Sequence, residues 1–207
     1  MFNSAVFHSP FTIHHMSKFL IVGLGNIGAE YANTRHNIGF DVVNAFVLKH
    51  GGTFKVERLA YTAEVKFKGK KLLCICPTTF MNLSGRAFRY WMDKEEVSLE
   101  NTLTIVDDLA LPLDKIRLRP SGTDAGHNGL KDIQHILGTD VYPKLRFGIG
   151  NNYPKGMQAD FVLSKWLKTE EPQVLLKIEK CVEIIENFVT IGIDQTMTSF
   201  NNLSIKP

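Results

Sequence analysis

Leu72-Leu73-Cys74-Ile75-Cys76-Pro77-Thr78-Thr79-Phe80-Met81-Asn82-Leu83-Ser84-Gly85 passes from an unbroken apolar run through a polar turn into a helical pattern. A short run bounded this way reads as a buried strand, and the segment as a strand–turn–helix unit. The unit recurs. Phe19-Leu20-Ile21-Val22 leads to Asn26, and Asn128 opens a helical pattern through Leu130, Ile133, Ile136 and Leu137. Further strands are expected over Lys18–Gly23, Tyr61–Phe67, Lys71–Cys76, Leu103–Val106, Lys115–Arg119 and Leu145–Ile149. Helices are expected over Ile38–His50, Ser84–Met92, Leu130–Leu137 and Glu170–Ile191, with a shorter one near Asp194–Asn201. In the long helix Val174, Leu175, Ile178, Val182, Ile185 and Phe188 form the stripe expected to face the sheet. Lys66-Phe67-Lys68-Gly69-Lys70-Lys71-Leu72 reads as a hairpin, so the sheet is mixed rather than purely parallel. The pattern predicts a single α/β domain, its mixed, mostly parallel sheet covered by helices on both faces.

A chain of 207 residues suits one domain with a full core. The first fifteen residues hold no Lys or Arg and show no signal-peptide pattern, so residues 1–15 read as an extension without fixed structure. The compact domain is expected over residues 16–207, with Met16 as a possible start. His8, His14 and His15 lack the companions of a metal site. Cys74 and Cys76 fall two apart in a strand and share one face as core residues; with Cys181 they suggest no disulfide framework, which fits a reducing cytoplasm. No apolar run is long enough to span a bilayer. Net charge is only +3, but from Lys115 to Lys168 nine basic residues stand against four acids. Such a face suits a phosphate backbone, and equally serves solubility.

Asn26, Asn82 and Asn128 all stand where a strand gives way to a helix, the place where open α/β sheets bind ligands. Each alone is an ordinary helix cap; three together favour a shared polar site. Gly23-Leu24-Gly25-Asn26-Ile27-Gly28 matches the dinucleotide fingerprint. The fingerprint needs a tight turn directly into a helix, whereas Ala29 to Asn37 carries no apolar stripe and reads as a long loop. No nucleotide cofactor is expected. His36 lies on that loop, just before a helix, where an imidazole can serve as a base. Asp107 ends the strand Leu103–Val106 and could fix that imidazole; Asp108 is an equal candidate on spacing alone. No metal site is readable: no His pair falls at i, i+4 and no Cys cluster exists.

Taken in order, Gly23–Tyr31, Thr34–Gly39, Pro77–Gly85, Asp107-Asp108-Leu109, Gly126–Lys131 and Lys144–Gly150 resemble the motifs of bacterial peptidyl-tRNA hydrolase. The resemblance covers Ser17 to Asn201. It implies a metal-free, monomeric, cytoplasmic esterase without cofactor, which cleaves peptide from the 3′ ribose of tRNA. By position it implies His36 as the catalytic base and Asp107 as its partner. Asn26, Asn82 and Asn128 would line the site for the peptide and the terminal adenosine, with Tyr31 and Met81 shaping the cleft. Arg117 or Arg119, with Arg146, would grip phosphate at the acceptor end of tRNA. Ala110 stands where many members carry Asp, so a second carboxylate role is not expected here.

No Gly-x-Ser-x-Gly elbow is present, and Cys74 and Cys76 read as buried. Water activated by His36 is therefore the expected nucleophile, with Asn26 or Asn82 meeting the oxyanion. The competing class is an RNA-binding module, which would keep the basic segment and dispense with the His36 and Asp107 pair.

Overall fold

The computed structural model describes residues 17–207, so the expected extension over residues 1–15 and the start at Met16 lie outside the described residues. Seven strands form one sheet: β1 (Lys18–Gly23), β2 (Lys55–Glu57), β3 (Ala60–Phe67), β4 (Lys70–Pro77), β5 (Thr102–Asp108), β6 (Ile116–Arg119) and β7 (Lys144–Gly148). Their order is β2-β3-β4-β1-β5-β7-β6. The central strands β4, β1, β5 and β7 are parallel, while β2 and β3 on one side and β6 on the other pair antiparallel. The helices are α1 (Ile38–Lys49), α2 (Ser84–Glu95), α3 (Asn128–Leu137), α4 (Gln158–Val162), α5 (Glu171–Ile191) and α6 (Ile193–Phe200).

Strand alternation divides the core into two layers. Phe19, Ile21, Leu72, Cys74 and Cys76 pack with residues of α1 and α5 on one face. Leu20, Val22, Leu73 and Ile75 pack with residues of α2 and α3 on the other. Each central strand is thus buried on both sides, which is why its sequence is continuously apolar. Burying each large apolar side chain stabilises the fold by about 2 kcal/mol. The hairpin between β3 and β4 turns through Lys68 and Gly69, both at positive φ (43° and 72°), as a two-residue turn matching strand twist requires.

The Gly-rich segment serves packing. A Cβ on Gly39 would lie 2.4 Å from the Leu24 nitrogen and 2.5 Å from the Ile105 oxygen, and one on Gly23 would lie 2.3 Å from the Gly39 oxygen. The first turn of α1 therefore rests backbone against backbone on the ends of β1 and β5. No residue with a side chain fits at either place.

Two elements escape the sequence pattern. Strand β2 is an edge strand with all three residues exposed, so it has no alternation to detect. Helix α4 buries none of its five residues and so shows no apolar stripe. The stripe of α5 also needs correction. Leu175 is 61% exposed, and the inward position is taken by Lys177. The i, i+4, i+7 path from Val174 through Ile178 to Cys181 rotates Leu175 to the outer side. Lys177 Nζ donates to the Gly148 oxygen (2.6 Å) and stands 3.6 Å from the centre of the Phe147 ring. Burial pushes its pKa down to about 7. At the β6 edge Asn201 substitutes for a further strand: the Leu118 N–H donates to its Oδ1 (2.8 Å) and its Nδ2 donates to the Leu118 oxygen (3.0 Å).

Gly39→Ala should lower unfolding stability by about 2 kcal/mol, the usual cost of overpacking. Denaturant titration checks it, and an unchanged midpoint would contradict the close contact of α1 with β1 and β5.

Candidate active site

The carboxyl ends of β1, β4 and β5 lie side by side, and the loops that leave them surround a cleft of about 600 Å³. Asn26 and His36 come from the segment after β1, Met81 and Asn82 from the turn after β4, and Asp107 and Asp108 from the end of β5. The turn Asp124 to Asn128 and the helix α4 complete the walls.

Asp107 organises the floor. Its Oδ1 lies 2.9 Å from His36 Nδ1 and 3.1 Å from His127 Nε2. The carboxylate is 4% exposed. Burial alone would raise its pKa, but the imidazoles of His127 and His36, with the hydrogen bonds they supply, outweigh burial and hold it well below the usual carboxylate range. The tautomers follow from the partners. His127 Nδ1 accepts from the N–H groups of Gly129 (3.1 Å) and Leu130 (3.3 Å), capping α3. Its proton therefore resides on Nε2 and points at Asp107, and the ring is neutral. His36 in turn donates from Nδ1 to the same oxygen, which leaves the Nε2 lone pair of a half-buried ring at the cleft.

His36 is delivered by the tight turn Arg35–Asn37. Asn37 locks that turn to the end of β1 through a reciprocal pair: the Asn26 N–H donates to Asn37 Oδ1 (2.8 Å) and Asn37 Nδ2 donates to the Asn26 oxygen (2.9 Å). The Asn26 side chain accepts from the Met81 N–H through Oδ1 (3.0 Å). That bond orients the amide and leaves its Nδ2 hydrogens without a protein acceptor among the described residues. His127 is set by Ala125 and Gly126 at positive φ (51° and 81°), with Asp124 Oδ1 accepting from the Gly126 N–H (2.8 Å).

Asp108 has a different job from Asp107. Its Oδ2 meets Arg146 Nη1 at 3.1 Å and its Oδ1 accepts from the Ala110 N–H at 2.8 Å. Arg146 Nη2 also donates to the Thr123 oxygen (2.5 Å). The alternative that sequence spacing left open is thus resolved geometrically: Asp107, not Asp108, bonds His36.

Asn82 and Asn128 are exposed and line the cleft with Asn26 and Met81. None of these three Asn side chains caps a helix. The cap of α3 is His127, and at the start of α2 the Gly85 N–H donates to Asp132 Oδ2 (2.7 Å). Tyr31 lies outside the cleft lining, on the short turn Ala29–Tyr31, where its carbonyl accepts from Thr34 Oγ1 (2.8 Å). Arg117 and Arg119 are exposed on β6, outside the cleft, with Arg117 opposite Arg146 in the β6–β7 register. Sequence reasoning assigned no role to His127, Asn37 or α4. The signal for the first two was present in Gly126-His127-Asn128 and His36-Asn37; nothing in the pattern of α4 announces it.

His36, Asp107 and His127 offer three potential ligand atoms within 4.8 Å of one another. The cap of α3 occupies His127 Nδ1 and so places a proton on the nitrogen that a metal would need. The donor set is therefore committed to hydrogen bonding.

The sequence pattern of the peptidyl-tRNA hydrolase family matches residues 20–207. A peptidyl-tRNA hydrolase of Parabacteroides distasonis is 53% identical over 186 residues, covering 89% of this chain and 99% of that protein. One from Bacteroides fragilis is 52% identical, covering 89% of this chain and 98% of that protein. The crystal structure of peptidyl-tRNA hydrolase from Acinetobacter baumannii superposes with a TM-score of 0.85 at 33% identity, over 92% of this chain and 98% of that one. Pattern, identity and superposition agree over nearly the whole described length, and the chain belongs to the peptidyl-tRNA hydrolase family.

Proposed function

We propose that this chain hydrolyses the ester joining a peptide, or an N-blocked amino acid, to the 3′ ribose of tRNA, with His36 as general base. The observation that carries this reading is the shared Asp107 oxygen, which directs the His36 Nε2 lone pair into the cleft. A water there loses its proton to Nε2 as it attacks the ester carbonyl. The imidazolium formed is stabilised by Asp107, whose charge is retained in a buried place. His127, neutral and fixed by α3, donates to the same carboxylate oxygen and takes no proton. The Asn26 Nδ2 group, oriented through Met81, supplies the N–H aimed at the developing oxyanion. Collapse of the tetrahedral intermediate releases peptide carboxylate, and the proton on His36 passes to the departing ribose oxygen.

The exposed amides Asn82 and Asn128 suit the edges of a terminal nucleotide or a peptide backbone, because an amide can donate and accept without charge. Arg117 and Arg119, exposed on one face of β6, are assigned to tRNA phosphate. Arg146 supports that face while engaged by Asp108 and Thr123. Met81 shapes the floor, and Tyr31 backs the loop that carries His36. The reaction serves translation, which assigns the protein to the cytoplasm. Every cleft residue comes from one chain, and a monomer suffices. No helix among the described residues is long and apolar enough to cross a membrane.

His36→Ala should lower turnover on the order of 100-fold or more in protein that still folds, with a lowered melting temperature because the buried Asp107 loses one of its two donors. Activity within a few-fold of the parent would remove His36 from the mechanism. Asp107→Asn should cost less than His36→Ala yet far more than Asp108→Asn, which loosens only Arg146; the reverse order of the two Asn variants would show that the wrong carboxylate has been chosen. Turnover should be indifferent to EDTA, and an activity lost to chelator and restored by zinc or magnesium would overturn the direct attack of water. Arg117→Ala and Arg119→Ala should raise KM for full-length substrate much more than they lower kcat, with a penalty that shrinks as salt rises. A single terminal nucleotide carrying an N-blocked amino acid should not sense either change; equal effects on both substrates would exclude the phosphate role.

A further inference from the structure

Arg35 precedes the proposed base, and its side chain runs away from the cleft into the segment that follows α4. The residue is 3% exposed. Its Nη1 donates to Ser164 Oγ (2.7 Å) and to the Lys165 oxygen (2.6 Å), and its Nη2 pairs with Glu170 Oε2 (2.6 Å). The guanidinium lies 4.5 Å from the centre of the Phe161 ring and 4.9 Å from that of Trp166. Its backbone N–H donates to the Ser164 oxygen (3.0 Å), beside an antiparallel bridge between Thr34 and Lys165. Nε has no partner among the described residues, while the rest of the guanidinium is held by these contacts.

This investment has a mechanical consequence. Helix α4 buries none of its own residues fully; Phe161 and Val162 pack half-buried against the core and the other three are exposed, so its five-residue body has few contacts of its own to fix it. Ala159, Val162 and Leu163 nevertheless form an apolar side of the cleft, opposite in character to the amides of Asn26, Asn82 and Asn128. The bonds and ring contacts of Arg35 hold this side, and the next residue in the chain is His36. One tight turn therefore carries the base toward Asp107 and the anchor of the far wall toward Phe161.

We infer that Arg35 is a positioning residue for specificity: it fixes the spacing between His36 and the α4 wall, against which apolar side chains of the peptide pack beyond the residue bearing the ester. The inference rests on the hydrolase reading above. A wall displaced by about 1 Å would weaken contacts that only a longer peptide makes, whereas the first residue stays placed by His36 and the amides.

The test uses the full chain and two substrates on the same tRNA, one bearing a single N-acetylated amino acid and the other an N-acetylated tetrapeptide of apolar residues. Arg35→Lys keeps a cation over Phe161 but loses the fork that joins Ser164, Lys165 and Glu170. Its KM for the tetrapeptide substrate should rise about tenfold, with a much smaller change for the single residue and little change in kcat for either. Glu170→Gln, which removes one anchor far from the cleft, should shift KM in the same direction by less. A merely structural Arg35 predicts equal loss on both substrates, and that result, or no change on either, would overturn the inference. If Arg35→Lys does not fold, the substrate difference measured with Glu170→Gln decides alone. Loss of the hydrolase reading would be distinct, since the parent protein would then fail on the single-residue substrate.

Discussion

One buried carboxylate oxygen, Asp107 Oδ1, accepts from two imidazoles that arrive on different elements, and the architecture of the cleft depends on it. His36 comes from the turn before α1 and His127 from the start of α3, so the bond pair ties helices on opposite faces of the sheet to the end of β5. A lone carboxylate buried to this degree would be driven toward its neutral form. The electrostatic attraction of the two imidazoles, with the hydrogen bonds they supply, reverses that outcome, and the retained charge keeps both ring orientations in place. The same contacts that satisfy a buried charge thus orient the His36 lone pair proposed as the base.

The adjacent acid illustrates how strand geometry separates roles. Asp107 and Asp108 are neighbours in β5, and alternation sends their side chains in different directions. One meets the two imidazoles; the other meets Arg146, which in turn holds the Thr123 carbonyl in the loop ahead of His127. Arg146, which lines the cleft, is thereby neutralised locally, and the exposed charges of Arg117 and Arg119 remain at the sheet edge. Arg146 and Asp107 do not compete.

Around this rigid floor the stabilities differ. The helices α1 and α2 are set by contacts that admit almost no change, as the opposed Gly23 and Gly39 show for α1 and Gly85, against the Asp132 backbone, shows for α2. By contrast α4 has no buried residue and is held from one side by Arg35. Placement of His36 and placement of the wall are separable because different side chains of one turn perform them.

Much of this was legible in the residue order. Continuous apolar runs marked β1, β4 and β5 because strands buried on two faces leave no polar position. Lys68-Gly69 marked its hairpin because only certain residues tolerate two successive positive φ values. The Asn residues after β1 and β4, and His36 before α1, marked the cleft because strand ends are where a sheet must turn. The residues of β2 and α4 carried no such mark, being exposed, and Lys177 occupied an inward position that its charge disguised. What only the tertiary structure decided was partnership: Asp107 rather than Asp108 for His36, His127 as a neutral cap, and Arg35 as an anchor for α4. Periodicity records which way a side chain points relative to its own element. Hydrogen bonds between elements far apart in the chain depend on how those elements pack, and distances of a few tenths of an ångström settle them.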